Sequence, residues 1–80
     1  MKLEIRLFGG LSCRNDALPC YGRKEFQLEA PTGMTVQGLY TLLALETGPL
    51  LTAVNGVVEK KDKPLFDNDR IGIFPPIAGG

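Results

Sequence analysis

The stretch with the most evident chemical use is the last seven residues, "FPPIAGG", Phe74 to Gly80. A carboxylate on a final glycine can attack the α-phosphorus of ATP. The product is an acyl-adenylate, which a sulfur or amine nucleophile then displaces. An activating enzyme must reach that carbonyl carbon through a narrow channel, and a Cβ on Gly79 or Gly80 would obstruct it. Glycine carries none and adopts the backbone conformation the channel demands. Pro75 and Pro76 have restricted φ and favour an extended course. Residues 75–80 are therefore expected to form an extended tail, stiff at its base and slender at its tip. A terminus without a task, where disorder usually concentrates, needs neither the prolines nor the aromatic at Phe74.

Other candidate chemistry is sparse. The chain has no histidine, which removes histidine general-base catalysis and the usual histidine metal sites. Cys13 and Cys20 lie in "LSCRNDALPCYGRK". Two cysteines cannot complete a four-ligand zinc or iron–sulfur site. Without a secretion signal they read as reduced loop thiols. "LFGGLS" lacks the Gly-Lys-Ser/Thr of a phosphate loop, and no nucleophile elbow is present. "DND", Asp67 to Asp69, lacks the later glycine and glutamate of a calcium loop. It reads as a β-turn in which Asn68 takes a left-handed backbone. No metal or cofactor is expected to bind, and the chain is expected to catalyse nothing alone.

Eighty residues make one domain, 1–80, with a small core. Apolar residues at 44% and charged residues at 22% are ordinary for a globular protein. Nine basic and nine acidic side chains cancel, and no basic stripe or polybasic run points to nucleic acid or membrane. "MKLEIRLF" alternates and so is no signal peptide, and no apolar run approaches a membrane span. A cytoplasmic location is expected.

The elements that must position the tail follow from periodicity. In residues 2–8, Leu3, Ile5 and Leu7 face one way, whereas Lys2, Glu4, Arg6 and Phe8 face the other. That is a half-buried strand stopped by Gly9-Gly10. Residues 9–24 read as a long loop with one helical turn near "NDALP". Residues 25–30 alternate again, with Phe26, Leu28 and Ala30 inward, and should pair antiparallel with the first strand. Thr35 is an N-cap for a helix over 36–47, and Gly48 and Pro49 are its stop. Gly38 inside it suggests a close approach of helix to sheet. "LTAV-NG-VVEK" is a two-residue hairpin at Asn55-Gly56. In "KDKPLFDND", Leu65 and Phe66 read as buried plugs. "RIGIF" places Ile71 and Ile73 inward and Phe74 outward. One helix must then cover one face of a mixed sheet of four to five strands. This order predicts an α+β, ubiquitin-like β-grasp, with first and last strands side by side at its centre and a free C-terminal tail.

"VNG" followed by "PLFDNDRIGIFPPIAGG" resembles the MoaD family, the small sulfur-carrying subunits of molybdopterin synthase within the MoaD/ThiS ubiquitin-like group. "TVQGLYTLL" and "LEIRLF" are similar to that family's helix start and first strand, whereas 9–24 departs from its pattern. The resemblance implies that an E1-like adenylyltransferase of the MoeB/ThiF type, using ATP and magnesium, activates Gly80. A sulfur donor then makes a thiocarboxylate, and a large synthase subunit of the MoaE type receives the tail to build molybdopterin. It further implies a docking patch at Phe8, Val58 and Phe74, beside Pro75 and Pro76. A carrier for thiazole or for tRNA thiolation, and a protein modifier joined to targets through Gly80, remain alternative expectations.

Overall fold

The computed structural model describes residues 1–45 and 49–75. Five strands and one α-helix occur among them, in the order β1 (Lys2–Leu7), β2 (Glu25–Glu29), α1 (Val36–Leu42), β3 (Leu51–Val54), β4 (Val57–Glu59) and β5 (Arg70–Phe74). The strands form one sheet in the order β2-β1-β5-β3-β4. β1 and β5 are central and parallel, with Ile5 beside Ile71 and Leu7 beside Ile73. All other neighbours are antiparallel. This is the β-grasp arrangement expected from the order of elements.

Period-two alternation puts Leu3, Ile5, Leu7, Leu28, Val54, Ile71 and Ile73 on one face of the sheet. There they meet Val36, Leu39, Tyr40 and Leu43 of the helical segment, all buried. The Tyr40 and Thr52 hydroxyls hydrogen-bond to each other, so the polar atoms carried into this core are satisfied, as burial requires. The β3–β4 hairpin turns on Asn55 (φ 53°) and Gly56 (φ 85°), the paired positive angles of a two-residue turn. Asn68 is also left-handed, at φ 68°. A clamp ties this hairpin to the start of β5. The Asn55 amide donates to Asp69 Oδ1 at 2.9 Å, Phe66 N–H donates to Asp69 Oδ2 at 2.9 Å, and Arg70 N–H donates to Asn55 Oδ1 at 3.0 Å.

Four expectations are corrected. The helix does not run to residue 47. Leu43 is its C-cap and Ala44 is left-handed, at φ 54°. Ala44 N–H donates to Thr41 O and Leu45 N–H to Tyr40 O, both at 3.1 Å, the paired bonds of a Schellman motif. Long-range capping reinforces this early stop: Arg14 N–H donates to Leu43 O and the Asn15 side-chain amide to Leu42 O. The expected stop at Gly48 lies outside the described residues. Gly38 does not mark a helix–sheet contact. A Cβ there would meet Met34 Cγ at 3.1 Å and Thr35 Oγ1 at 3.6 Å, while Thr35 Oγ1 accepts the Gly38 N–H as the N-cap. Phe66 is 61% exposed, although Leu65 is buried as expected. Its N–H is held by Asp69 in a tight turn, and adjacent side chains in such a turn cannot both face the core. Last, "NDALP" makes no helical turn. Leu18 N–H donates to Asn15 O and Ala17 N–H to Asn15 Oδ1, so Asn15 organises a single β-turn instead.

Candidate functional site

The helix covers one face of the sheet and leaves the other open. Phe8 and Phe74 stand on that open face, as their alternation predicts. Their rings stack with centroids 4.4 Å apart and planes 4° from parallel. Two features of the backbone permit this. Parallel pairing of β1 with β5 brings their C-terminal ends level, and Phe8 N–H donates to Ile73 O at 3.0 Å. Gly72 then leaves room for both rings, because a Cβ there would lie 3.3 Å from Phe8 Cε2 and 3.5 Å from Phe74 Cε1. Gly72 was not singled out in the sequence. The available signal was an isolated glycine inside a strand, which often marks a close approach.

Val58 lies on the same face through its pairing with Ala53, and is 65% exposed. Leu51 is a further member that sequence reasoning missed. It pairs with Phe74 and is 52% exposed. Its signal was the alternation of "LTAV", in which the inward Val54 requires Thr52 inward and Leu51 outward. Apolar Phe8, Phe74, Leu51, Ala53 and Val58 thus occupy one half of the open face.

The other half is polar. Arg6 pairs with Glu25 at 2.6 Å and Arg70 with Glu4 at 3.1 Å. Both pairs are exposed, so each contributes little to stability, typically about 0–1 kcal/mol. Their arrangement neutralises this half and leaves the aromatic pair as its most distinctive neighbour. The two halves enclose a shallow depression of about 820 Å³ floored by Gly72 and Ala53. An exposed apolar cluster rimmed by paired charge has the make-up of a protein-docking surface.

Pro75 follows directly and is half-buried at the edge of this patch. The remaining residues expected to function, Pro76, Gly79 and Gly80, lie outside the described residues. So the structure brings together Phe8, Phe74, Val58 and Pro75, with Leu51 and Gly72 added.

Cys13 and Cys20 belong to a loop, but they are not ordinary loop thiols. Both are buried in the core, and the Cys20 thiol donates to Cys13 Sγ at 3.1 Å. Burial, then the hydrogen bond with Cys13, pushes the Cys20 thiol up from 9.0 to about 11. A thiol kept protonated in this way is a poor nucleophile. Among the described residues no cluster of three or more His, Cys, Asp or Glu side chains could hold a metal ion. No helix among them is long and apolar enough to cross a membrane.

Four likenesses to known proteins bear on this arrangement. The molybdopterin synthase sulfur carrier subunit of Escherichia coli (strain K12) is 47% identical over 47 residues, covering 59% of this chain and 58% of that protein. The match therefore spans little more than half the length of that relative. Among solved structures, one subunit in the complex of subunits 1 and 2 of the molybdopterin-converting factor from Helicobacter pylori 26695 is 25% identical. It superposes with a TM-score of 0.62, covering 100% of both chains. The H. volcanii small archaeal modifier protein 1 superposes with a TM-score of 0.69 at 16% identity, over 95% of this chain and 98% of that one; this likeness is one of fold. The ThiS family model matches residues 15–80. An open-faced β-grasp sheet, an aromatic pair at the end of its last strand and a family match running from the capping loop to Gly80 lead to one assignment: the chain belongs to the ThiS family, within the MoaD/ThiS ubiquitin-like group.

Proposed function

We propose that this chain is a sulfur carrier for molybdopterin synthesis, the small, non-catalytic subunit of a synthase. An E1-like adenylyltransferase of the MoeB/ThiF type, using ATP and magnesium, joins AMP to the Gly80 carboxylate and releases pyrophosphate. A sulfide-level sulfur donor displaces AMP and leaves a thiocarboxylate. A large subunit of the MoaE type then takes up the tail and passes the sulfur to a pterin precursor. The chain's own contribution is presentation. It offers an apolar docking patch beside Pro75, where the C-terminal segment begins, and keeps both of its thiols buried.

The observation that carries this reading is the exposed Phe8–Phe74 stack, which directly precedes the sequence "PPIAGG". The likeness to the E. coli sulfur carrier subunit favours molybdopterin over thiazole or thiolated tRNA as the destination. The test is intact-mass analysis of the protein isolated from its native host. The expected species has one terminal oxygen replaced by sulfur. Isopeptide-linked conjugates to lysines, with no thiocarboxylate, would instead establish a protein modifier, because the same adenylate can be attacked by an amine.

A further inference from the structure

We propose that Gly9 is a positioning residue for the C-terminal segment, setting the heading of the chain where it leaves the sheet at Pro75. A Cβ at Gly9 would lie 2.4 Å from Pro75 Cγ and 2.7 Å from Pro75 Cδ. The proline ring thus rests on the bare Gly9 backbone, in space that every other residue type would fill. The neighbouring elements leave the ring little freedom. Phe8 N–H is bonded to Ile73 O, the Phe8 and Phe74 rings are stacked, and Phe74 is paired with Leu51. The base of the segment is therefore held by the end of β1, by the turn after it and by β3. With φ of proline restricted, moving the ring means turning the chain at the Phe74–Pro75 junction. A Cβ at Gly9 forces such a move, because the ring must withdraw by about 1 Å to regain ordinary contact at 3.4 Å.

Gly10 supplies an internal control. It too is left-handed, at φ 87° against 64° for Gly9, but a Cβ on Gly10 meets nothing within 4 Å. Alanine at either position pays the left-handed backbone penalty; alanine at Gly9 alone also strikes Pro75. The consequence for function rests on the sulfur-carrier reading. A carboxylate five residues beyond a displaced anchor meets the adenylating site with altered geometry, and a misplacement of about 1 Å can cost up to about 100-fold in rate.

The experiment compares the full chain with Gly9→Ala, Gly10→Ala, Pro75→Ala and Gly9→Ala/Pro75→Ala in two arms. In the first, NMR reads the nuclear Overhauser contact between Gly9 Hα and the Pro75 ring protons. It is expected in the parent and in Gly10→Ala and lost in Gly9→Ala. Its absence from the parent, or its persistence in Gly9→Ala, overturns the proposal. In the second arm, ATP–pyrophosphate exchange by the host's E1-like enzyme reads activation. Gly9→Ala is expected to reduce kcat/KM about tenfold more than Gly10→Ala, and this excess is expected to vanish when Pro75 is alanine. Equal losses at the two glycines, or an excess that persists without the proline ring, overturn it. Should Gly9→Ala fail to fold while Gly10→Ala folds, the Gly9→Ala/Pro75→Ala chain decides: folding restored by removing the ring supports the seating of Pro75 on Gly9, and a double variant that still fails to fold refutes it. If the parent chain is not activated at all, the carrier reading fails, and the NMR arm still decides whether Gly9 seats Pro75.

Discussion

Replacing Ile73 and Phe74 by alanine, one at a time, separates the two faces of β5. Ile73 is completely buried, between β1 and β3 and under the helix. Ile73→Ala removes three buried carbons and leaves a cavity, at a cost of about 2–5 kcal/mol. A domain of this length has a total stability of about 4–12 kcal/mol, so that loss is a large fraction of the whole. Phe74 is 37% exposed. What it contributes to the isolated chain is the stack on Phe8, about 0.5–1.5 kcal/mol, and partial burial over Gly72. Phe74→Ala is therefore expected to cost about 1–2 kcal/mol. The order reverses in binding. A central aromatic anchor typically contributes about 2 kcal/mol or more, so Phe74→Ala should weaken binding to the two proposed partners, an adenylating enzyme and a large synthase subunit, by more than about tenfold, or about 1.4 kcal/mol. Urea unfolding measures the first ranking, with unchanged slopes showing that the denatured states remain comparable. Calorimetric titration measures the second. If Phe74→Ala unfolds at lower urea than Ile73→Ala, the assignment of faces is inverted. If both affinities are unchanged, the docking patch lies elsewhere.

Ala44→Gly should stabilise the protein by about 1 kcal/mol, because Ala44 occupies the left-handed position of the helix cap at φ 54°, a conformation that disfavours any Cβ. A rise in melting temperature of about 4–8 °C is the expected readout, and an unchanged or lower value refutes the strain at that residue. The Cys20 thiol, pushed up to about 11, makes the folded state hold a proton more tightly than the unfolded chain. Its contribution, of order 3 kcal/mol, is complete below about pH 9 and disappears as pH rises through about 11. Denaturant midpoints across that range should therefore fall less steeply for Cys20→Ala than for the parent, and equal slopes would contradict the linkage. A chain lacking Gly80, or extended by one residue beyond it, should unfold at the parent midpoint yet support no ATP–pyrophosphate exchange; normal exchange by the extended chain defeats the slender-terminus argument.

Much of this protein was legible in local chemistry. Period two in "KLEIRL", "EFQLE" and "RIGIF" committed each strand to one buried face, because a slip of one residue would expose every apolar side chain. Asn55-Gly56 specified a turn with paired positive angles, and Thr35 marked the start of the helix. With one helix and one-sided strands, a mixed sheet carrying the helix on a single face was the available solution. It followed that Phe8 and Phe74 must point away from the core. The glycines and prolines of "FPPIAGG" suggested the proposed chemistry without any fold.

Tertiary structure decided what depends on residues far apart in the chain. The helix ends at Leu42 because Leu45 is buried and Arg14 and Asn15, from a loop nearly thirty residues earlier, cap its last carbonyls; no local pattern carries that information. Phe66 is outside because Asp69 holds its backbone in a turn. Cys13 and Cys20 became core residues when that same loop packed against the helix end. Gly72 and Leu51 joined the candidate site through the registers of β5 with β1 and β3. Composition and periodicity assign each residue a face, since side-chain direction is a property of the local backbone. Which residues share that face as neighbours is set by strand register and long-range hydrogen bonds, and so by the folded chain alone.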